Sequence, residues 1–192
     1  MADALPLNAP NVITIARVLV IPVFVLLLAG SPDGSVVAAA LFGIAAISDA
    51  LDGHLARSRE AITKFGTIMD PLADKLLIGA ALVTLVALDR VALWIALVII
   101  VREAAVTGLR LARERHGVVI PASALGKAKM WTQVAGLTAA IAAPDPSAAW
   151  VLALLYAAVV ATLVSGLDYF VSYWREVRRD RAVAVRESAG AR

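Results

Sequence analysis

Residues 36–57 read VVAAALFGIAAISDALDGHLAR. The stretch begins as an apolar run long enough to be buried on every side and ends in two carboxylates, a glycine and an arginine. About 20 apolar residues are needed to cross the roughly 30 Å of bilayer hydrocarbon. The run Val36–Ala56 meets that length, and its charges gather at one end. Asp49, Asp52, Gly53 and Ala56 are spaced by three and four, which places them on one face of a helix.

The same kind of run recurs on both sides. Six are expected to be helices: Val12–Ala29, Val36–Ala56, Pro71–Leu88, Val91–Leu111, Ala128–Ala143 and Ala148–Trp174. Ser31-Pro32-Asp33-Gly34, Asp89-Arg90 and Pro144-Asp145-Pro146 separate them with turn chemistry. The composition agrees. Of the 192 residues, 61% are hydrophobic, against about 45–50% in soluble domains, and mean hydropathy is +0.84. The expected fold is all-α and polytopic, with six transmembrane helices. Within bilayer hydrocarbon only helices and closed barrels satisfy the backbone. Residues 1–11 are expected to precede the membrane domain at 12–174, and 175–192 to form a basic cytoplasmic tail. There is no cysteine, hence no disulfide and no thiolate metal site. The first residues lack the basic segment of a cleavable signal, so the first run is expected to be retained. Nothing in the composition points to nucleic acid as a partner.

Orientation follows from Lys and Arg. If the turns near 30–35, 89–90 and 144–147 share one side, only Arg90 of the 18 basic residues lies there. The positive-inside rule makes the opposite side cytoplasmic. Both termini and the carboxylate end then face the cytoplasm of a multi-pass inner-membrane protein.

The next run continues the pattern at that end. Asp70 and Asp74 are four apart, with Gly66 one turn earlier. Two carboxylates closing one span can meet two opening the next. Ionisable groups inside membrane helices are costly and are functional candidates. Four carboxylates would be balanced by two divalent cations. Hard oxygen donors suit Mg²⁺ or Mn²⁺ better than zinc. Paired metals suit phosphoryl transfer, where attacking and leaving oxygens both carry charge. Gly53, Ala56 and Gly66 leave the acidic face uncluttered for a nucleotide. Tight helix packing is the plainer use of such residues. His54 and His116 have no ligand partner at helical spacing and are read as non-catalytic.

Asp49-x2-Asp52-Gly53-x2-Ala56-Arg57-x8-Gly66-x3-Asp70-x3-Asp74 resembles, at every fixed position, the signature of the CDP-alcohol phosphotransferases. The resemblance implies a six-helix membrane enzyme, generally dimeric. It implies that Asp49, Asp52 and Asp70 bind two metal ions, and that Asp74 is the general base and a further metal contact. Asp52, Gly53, Ala56, Arg57 and Gly66 are expected to bind CDP-diacylglycerol.

Beyond the signature, Pro10-Asn11-Val12-Ile13-Thr14-x2-Arg17 is similar to the first-span entry of the phosphatidylglycerophosphate synthases within that family. So are Arg102-Glu103-x5-Leu109-Arg110, Ala122-Ser123-x2-Gly126-Lys127-x-Lys129-x2-Thr132-Gln133 and Ser165-Gly166-Leu167-Asp168-Tyr169-Phe170. Met130 departs from the usual Thr, with little expected consequence. The implied acceptor is glycerol 3-phosphate, whose phosphate needs fixed positive charge. Arg102, Arg110, Lys127 and Lys129 are the expected contacts, although flanking charge is common to polytopic proteins. A phosphatidylinositol-phosphate synthase would need a similar basic site. An ion or metal transporter is the alternative from another class, but its path should carry polar groups across the midplane. A purely structural membrane protein leaves the cost of the acidic cluster unexplained.

Overall fold

Each expected run becomes a helix in the computed structural model, which describes residues 9–56, 64–114 and 124–190. Within these, side chains are described except at 9–14, 49–56, 64–71, 74, 112–114, 124, 176 and 179–190. The helices are α1 (Ala9–Ala29), α2 (Val36–Ala56), α3 (Lys64–Ala87), α4 (Leu93–Glu114), α5 (Ala124–Ala142) and α6 (Ala149–Gly190). There is no strand among the described residues. Most ends fall within four residues of expectation, and two differ by more. α3 starts at Lys64 rather than Pro71. α6 runs on to Gly190, so the basic tail continues the last helix where it is described. Its Arg, Ala and Glu residues are good helix formers, and polarity alone does not end a helix.

α5 packs on α6, α1 on α3, α2 on α5 and α4 on α6, with α1–α2, α3–α4 and α2–α3 contacts closing the bundle. α5 and α6 approach each other closely at Gly136 of α5. A Cβ there would stand 3.1 Å from the carbonyl oxygen of Leu154 on α6. Phe24, Leu28, Phe42, Leu77, Leu82, Leu85, Ile99, Leu137, Ile141 and Leu155 fill one continuous core. The Phe24 and Phe42 rings tilt against each other with centroids 5.7 Å apart.

The outside also carries large apolar side chains. Leu26, Val36, Ile44, Val83, Val101, Trp131 and Leu167 are exposed large hydrophobic residues, and together they lie on all six helices. By length and composition alone, Ala149–Arg175 is long and apolar enough to cross a membrane. Ile15–Ala29, Val36–Ser48 and Lys75–Ala87 are shorter apolar stretches.

The end away from the aspartates is held by one cation. α3 closes with the Asp89 amide donating to Val86 O at 3.0 Å and the Arg90 amide to Leu85 O at 2.8 Å. Asp89 takes a left-handed φ of 56°. This Schellman-type ending turns Arg90 inward, where it is only 4% exposed. Its Nε donates to Ala140 O at 3.0 Å, its Nη1 to Pro32 O at 2.7 Å, and its Nη2 to Ala143 O. Ala140 O belongs to the last turn of α5 and Ala143 O lies just beyond it, where helix carbonyls lack intrahelical partners and a cation is favoured. Burial lowers the Arg90 pKa, and nearby Asp33 opposes that shift.

The α1–α2 turn closes over this clasp. Ser35 donates its amide to Ile141 O at 2.8 Å, and its Oγ accepts from the Ala38 amide at 3.1 Å, capping α2. Gly34 adopts φ +103°, and a Cβ there would meet Ala143 O at 2.6 Å. The single basic residue on the far side is therefore a structural tie. Arg90→Ala is expected to cost on the order of 3 kcal/mol by stripping three carbonyls of a charged donor. Arg90→Lys should cost less, and Gly34→Ala about 1–3 kcal/mol through strain. Thermal unfolding in detergent measures all three. An Arg90→Ala loss under about 1 kcal/mol would refute the clasp.

Candidate active site

α2 and α3 are joined through residues 57–63, so the end of one and the start of the other lie at the same end of the bundle. The last two turns of α2 carry Asp49, Asp52, Gly53 and Ala56. The opening turns of α3 carry Gly66, Asp70 and Asp74. All seven lie in helical backbone, so the three- and four-residue spacings translate into one acidic stripe per helix. Their side chains are outside those described, and Arg57 and His116 lie outside the described residues. His54 is on α2, with its side chain likewise outside the description. Among the described residues, no group of three or more Asp, Glu, His or Cys side chains could hold a metal ion.

The surroundings of the acidic end are described. Arg17, the sole charged residue of α1, is 5% exposed. It lines a cleft of about 170 Å³ between α1 and α2 with Ala16, Val20, Leu41, Ile44 and Ser48. Ser48 immediately precedes Asp49 in the chain. A second cleft, about 450 Å³, lies between α1 and α3, lined by Val18, Ile21, Pro22, Lys75, Leu76 and Gly79 among others. Lys75 directly follows Asp74. Both clefts are mainly apolar along their length, and each has one cation in its lining, Arg17 or Lys75. Arg17 was not among the expected site residues. Its signal in the sequence is a lone charge in an otherwise uncharged helix.

The four basic acceptor candidates are arranged unequally. Lys129 is buried and its Nζ donates to Glu103 Oε1 at 2.5 Å. Arg102 is half-buried. Its Nη1 donates to the same Glu103 oxygen at 3.0 Å and its Nη2 to Ser165 Oγ at 2.6 Å. Glu103 thus brings Arg102 and Lys129 together. Arg110 and Lys127 are exposed, on the closing turns of α4 and the opening turns of α5. Ser165 and Glu103 lay within the quoted sequence motifs but had been given no role.

A family model described as CDP-alcohol phosphatidyltransferase matches residues 7–164. The chain is 39% identical over 188 residues to the CDP-diacylglycerol–glycerol-3-phosphate 3-phosphatidyltransferase of Bacillus subtilis (strain 168), covering 89% of this chain and 97% of that one. It is 40% identical over 198 residues to the protein of the same name from Pseudomonas fluorescens, covering 96% and 100%. It is also 38% identical over 182 residues to a probable phosphatidylglycerophosphate synthase of Mycobacterium tuberculosis (strain ATCC 25618 / H37Rv), covering 92% and 87%.

Proposed function

The chain belongs to the CDP-alcohol phosphatidyltransferase family, and from that premise we propose that it transfers the phosphatidyl group of CDP-diacylglycerol to glycerol 3-phosphate, giving phosphatidylglycerophosphate and CMP. The observation that carries this reading is that the acidic residues closing α2 and those opening α3 lie at the same end of the bundle, on the two helix ends that residues 57–63 join. The names of relatives aligned over nearly the whole chain support the acceptor.

Asp49, Asp52, Asp70 and Asp74 would hold two divalent cations, Mg²⁺ or Mn²⁺, which when bound supply charge compensation to the diphosphate. Arg57 and the backbone at Gly53, Ala56 and Gly66 hold the nucleotide, together with Asp52. The two apolar clefts beside α1 suit a donor with hydrocarbon tails and an anionic head. Asp74 accepts the proton of the acceptor's 1-hydroxyl as that oxygen bonds to the β-phosphorus. The bond from phosphorus to the CMP oxygen breaks, and CMP departs. Arg110, Lys127 and Lys129 meet the acceptor phosphate, with Arg102 joined to Lys129 through Glu103.

We place all six helices across the inner membrane, as a homodimer with both termini and the acidic end in the cytoplasm. Apolar side chains exposed on every helix support immersion in lipid. The aromatic residues support two interfaces. Trp94 and Tyr156 stack at 6.0 Å and are exposed near one end, as is Trp150; Tyr173 and Trp174 meet edge-to-face at 6.1 Å near the other. From Trp150 to Trp174, α6 rises about 36 Å at 1.5 Å per residue. That exceeds the hydrocarbon thickness slightly, as interfacial aromatic belts require.

The test is CMP release from CDP-diacylglycerol and Mg²⁺ by purified protein, with glycerol 3-phosphate, inositol phosphate, serine and glycerol offered in parallel. Glycerol 3-phosphate should be used best. A preference for inositol phosphate would leave the chemistry and replace the acceptor, whereas no CMP with any alcohol would remove the enzyme reading. In the same assay, Arg110→Ala or Lys127→Ala should raise KM for glycerol 3-phosphate about 10- to 150-fold, the equivalent of one charge-assisted hydrogen bond of roughly 1.5–3 kcal/mol. KM for CDP-diacylglycerol should change little. Unchanged acceptor KM in both variants would displace the acceptor site.

A further inference from the structure

α4, α5 and α6 meet along a polar seam in an otherwise apolar bundle. Glu103 of α4 receives Lys129 of α5 at 2.5 Å and its neighbour Arg102 at 3.0 Å, both on Oε1. Arg102 reaches Ser165 of α6 at 2.6 Å, and its stem lies against Gly166, where a Cβ would stand 3.2 Å from Arg102 Cγ. One turn along α5 from Lys129, buried Gln133 donates through Nε2 to Thr162 Oγ1 of α6 at 2.8 Å.

We propose that Glu103 is a positioning residue for the acceptor: it fixes the Lys129 ammonium at the place where the acceptor's phosphate binds. The inference rests on the acceptor site proposed above. A lysine is a flexible stem ending in a compact charge, and holding it in one rotamer costs entropy. A carboxylate that has already fixed it lowers the cost of meeting a phosphate. Glu103 is itself held, because Arg102 is seated against Ser165 and Gly166. The anchoring therefore runs from α6 through α4 to α5.

Stability alone does not account for the arrangement. A buried ion pair often contributes no more than an apolar pair of similar volume, and the bundle around it is filled with apolar pairs. The seam also has the right location. Arg110 is seven residues beyond Glu103, which puts it on nearly the same stripe of α4, about 10 Å closer to the cytoplasmic end. Lys129 lies in the second turn of α5, at that same end. Arg102 has both Nη atoms engaged and acts as the brace.

The test uses the full chain in detergent with CDP-diacylglycerol and Mg²⁺, varying each substrate in turn and recording the unfolding midpoint. Glu103→Gln should raise KM for glycerol 3-phosphate about tenfold, one charge-assisted contact loosened. KM for CDP-diacylglycerol should stay within about twofold. Glu103→Asp keeps the charge but shortens the reach, and should raise acceptor KM while holding the midpoint. It carries the test if Glu103→Gln fails to fold. The exchange Glu103→Lys with Lys129→Glu separates position from pairing. It should recover the midpoint lost in Glu103→Lys without recovering acceptor KM. Acceptor KM within about twofold of wild type in Glu103→Gln or, if that variant does not fold, in Glu103→Asp would overturn the inference, as would an exchange variant that regains both properties. Wild-type protein that transfers to no phosphorylated alcohol would overturn the proposed function and this inference together. Transfer by wild type to one phosphorylated alcohol, with that alcohol's KM unmoved by the folded Glu103 variant, overturns this inference alone.

Discussion

Asp74→Asn is expected to abolish turnover, by at least 10²- to 10⁴-fold, the usual range for loss of a general base. The amide is nearly isosteric with the carboxylate but cannot take up the hydroxyl proton. CDP-diacylglycerol binding should persist, because Asp49, Asp52 and Asp70 remain. Single-turnover CMP release, together with equilibrium binding of the donor, separates the two effects. Turnover within tenfold of wild type would take the base role from Asp74. Loss of donor binding as well as turnover would assign Asp74 chiefly to holding metal.

Excess EDTA should stop the reaction, and added Mg²⁺ or Mn²⁺ should restore it where Ca²⁺ does so poorly. Mg²⁺ demands near-octahedral oxygen ligation at short distance, whereas Ca²⁺ is larger and more loosely held. The fourfold carboxylate set has the donor chemistry for the smaller ion. Full activity in excess chelator would exclude the metal-binding role of the four aspartates. The two experiments are complementary, since one removes a single carboxylate and the other leaves every carboxylate in place.

What was legible in the sequence was local. The apolar runs between turn residues located six helices because each helix satisfies its own backbone. The acidic stripes were legible because spacings of three and four mean the same thing on any helix. Both of the most displaced ends lie where apolar sequence gives way to polar. α3 begins at Lys64 and α6 passes Trp174, because a change from apolar to polar residues does not mark where a helix ends. The acceptor site was harder to read. Basic residues flank any polytopic protein on its cytoplasmic side, so Lys129 looked equivalent to Arg110 and Lys127, with Arg102 the weaker candidate. Their difference lies in a partner, Glu103, that is 26 residues from Lys129 and on another helix. Arg90 was legible only as an exception to the charge rule. Its acceptors are 50 to 58 residues away.

That separation also sets an order of events during synthesis. Pro32 is made before Arg90, but Ala140 follows it by 50 residues. At 5–20 residues per second, about 3–10 s pass before α5 can offer its carbonyls. During that interval a guanidinium destined for burial has only one of its three acceptor carbonyls. The first four helices cannot finish their own far end, and α5 arrives as the piece that locks it. A nascent chain stalled before that point would hold the Arg90 guanidinium without its two α5-end acceptors.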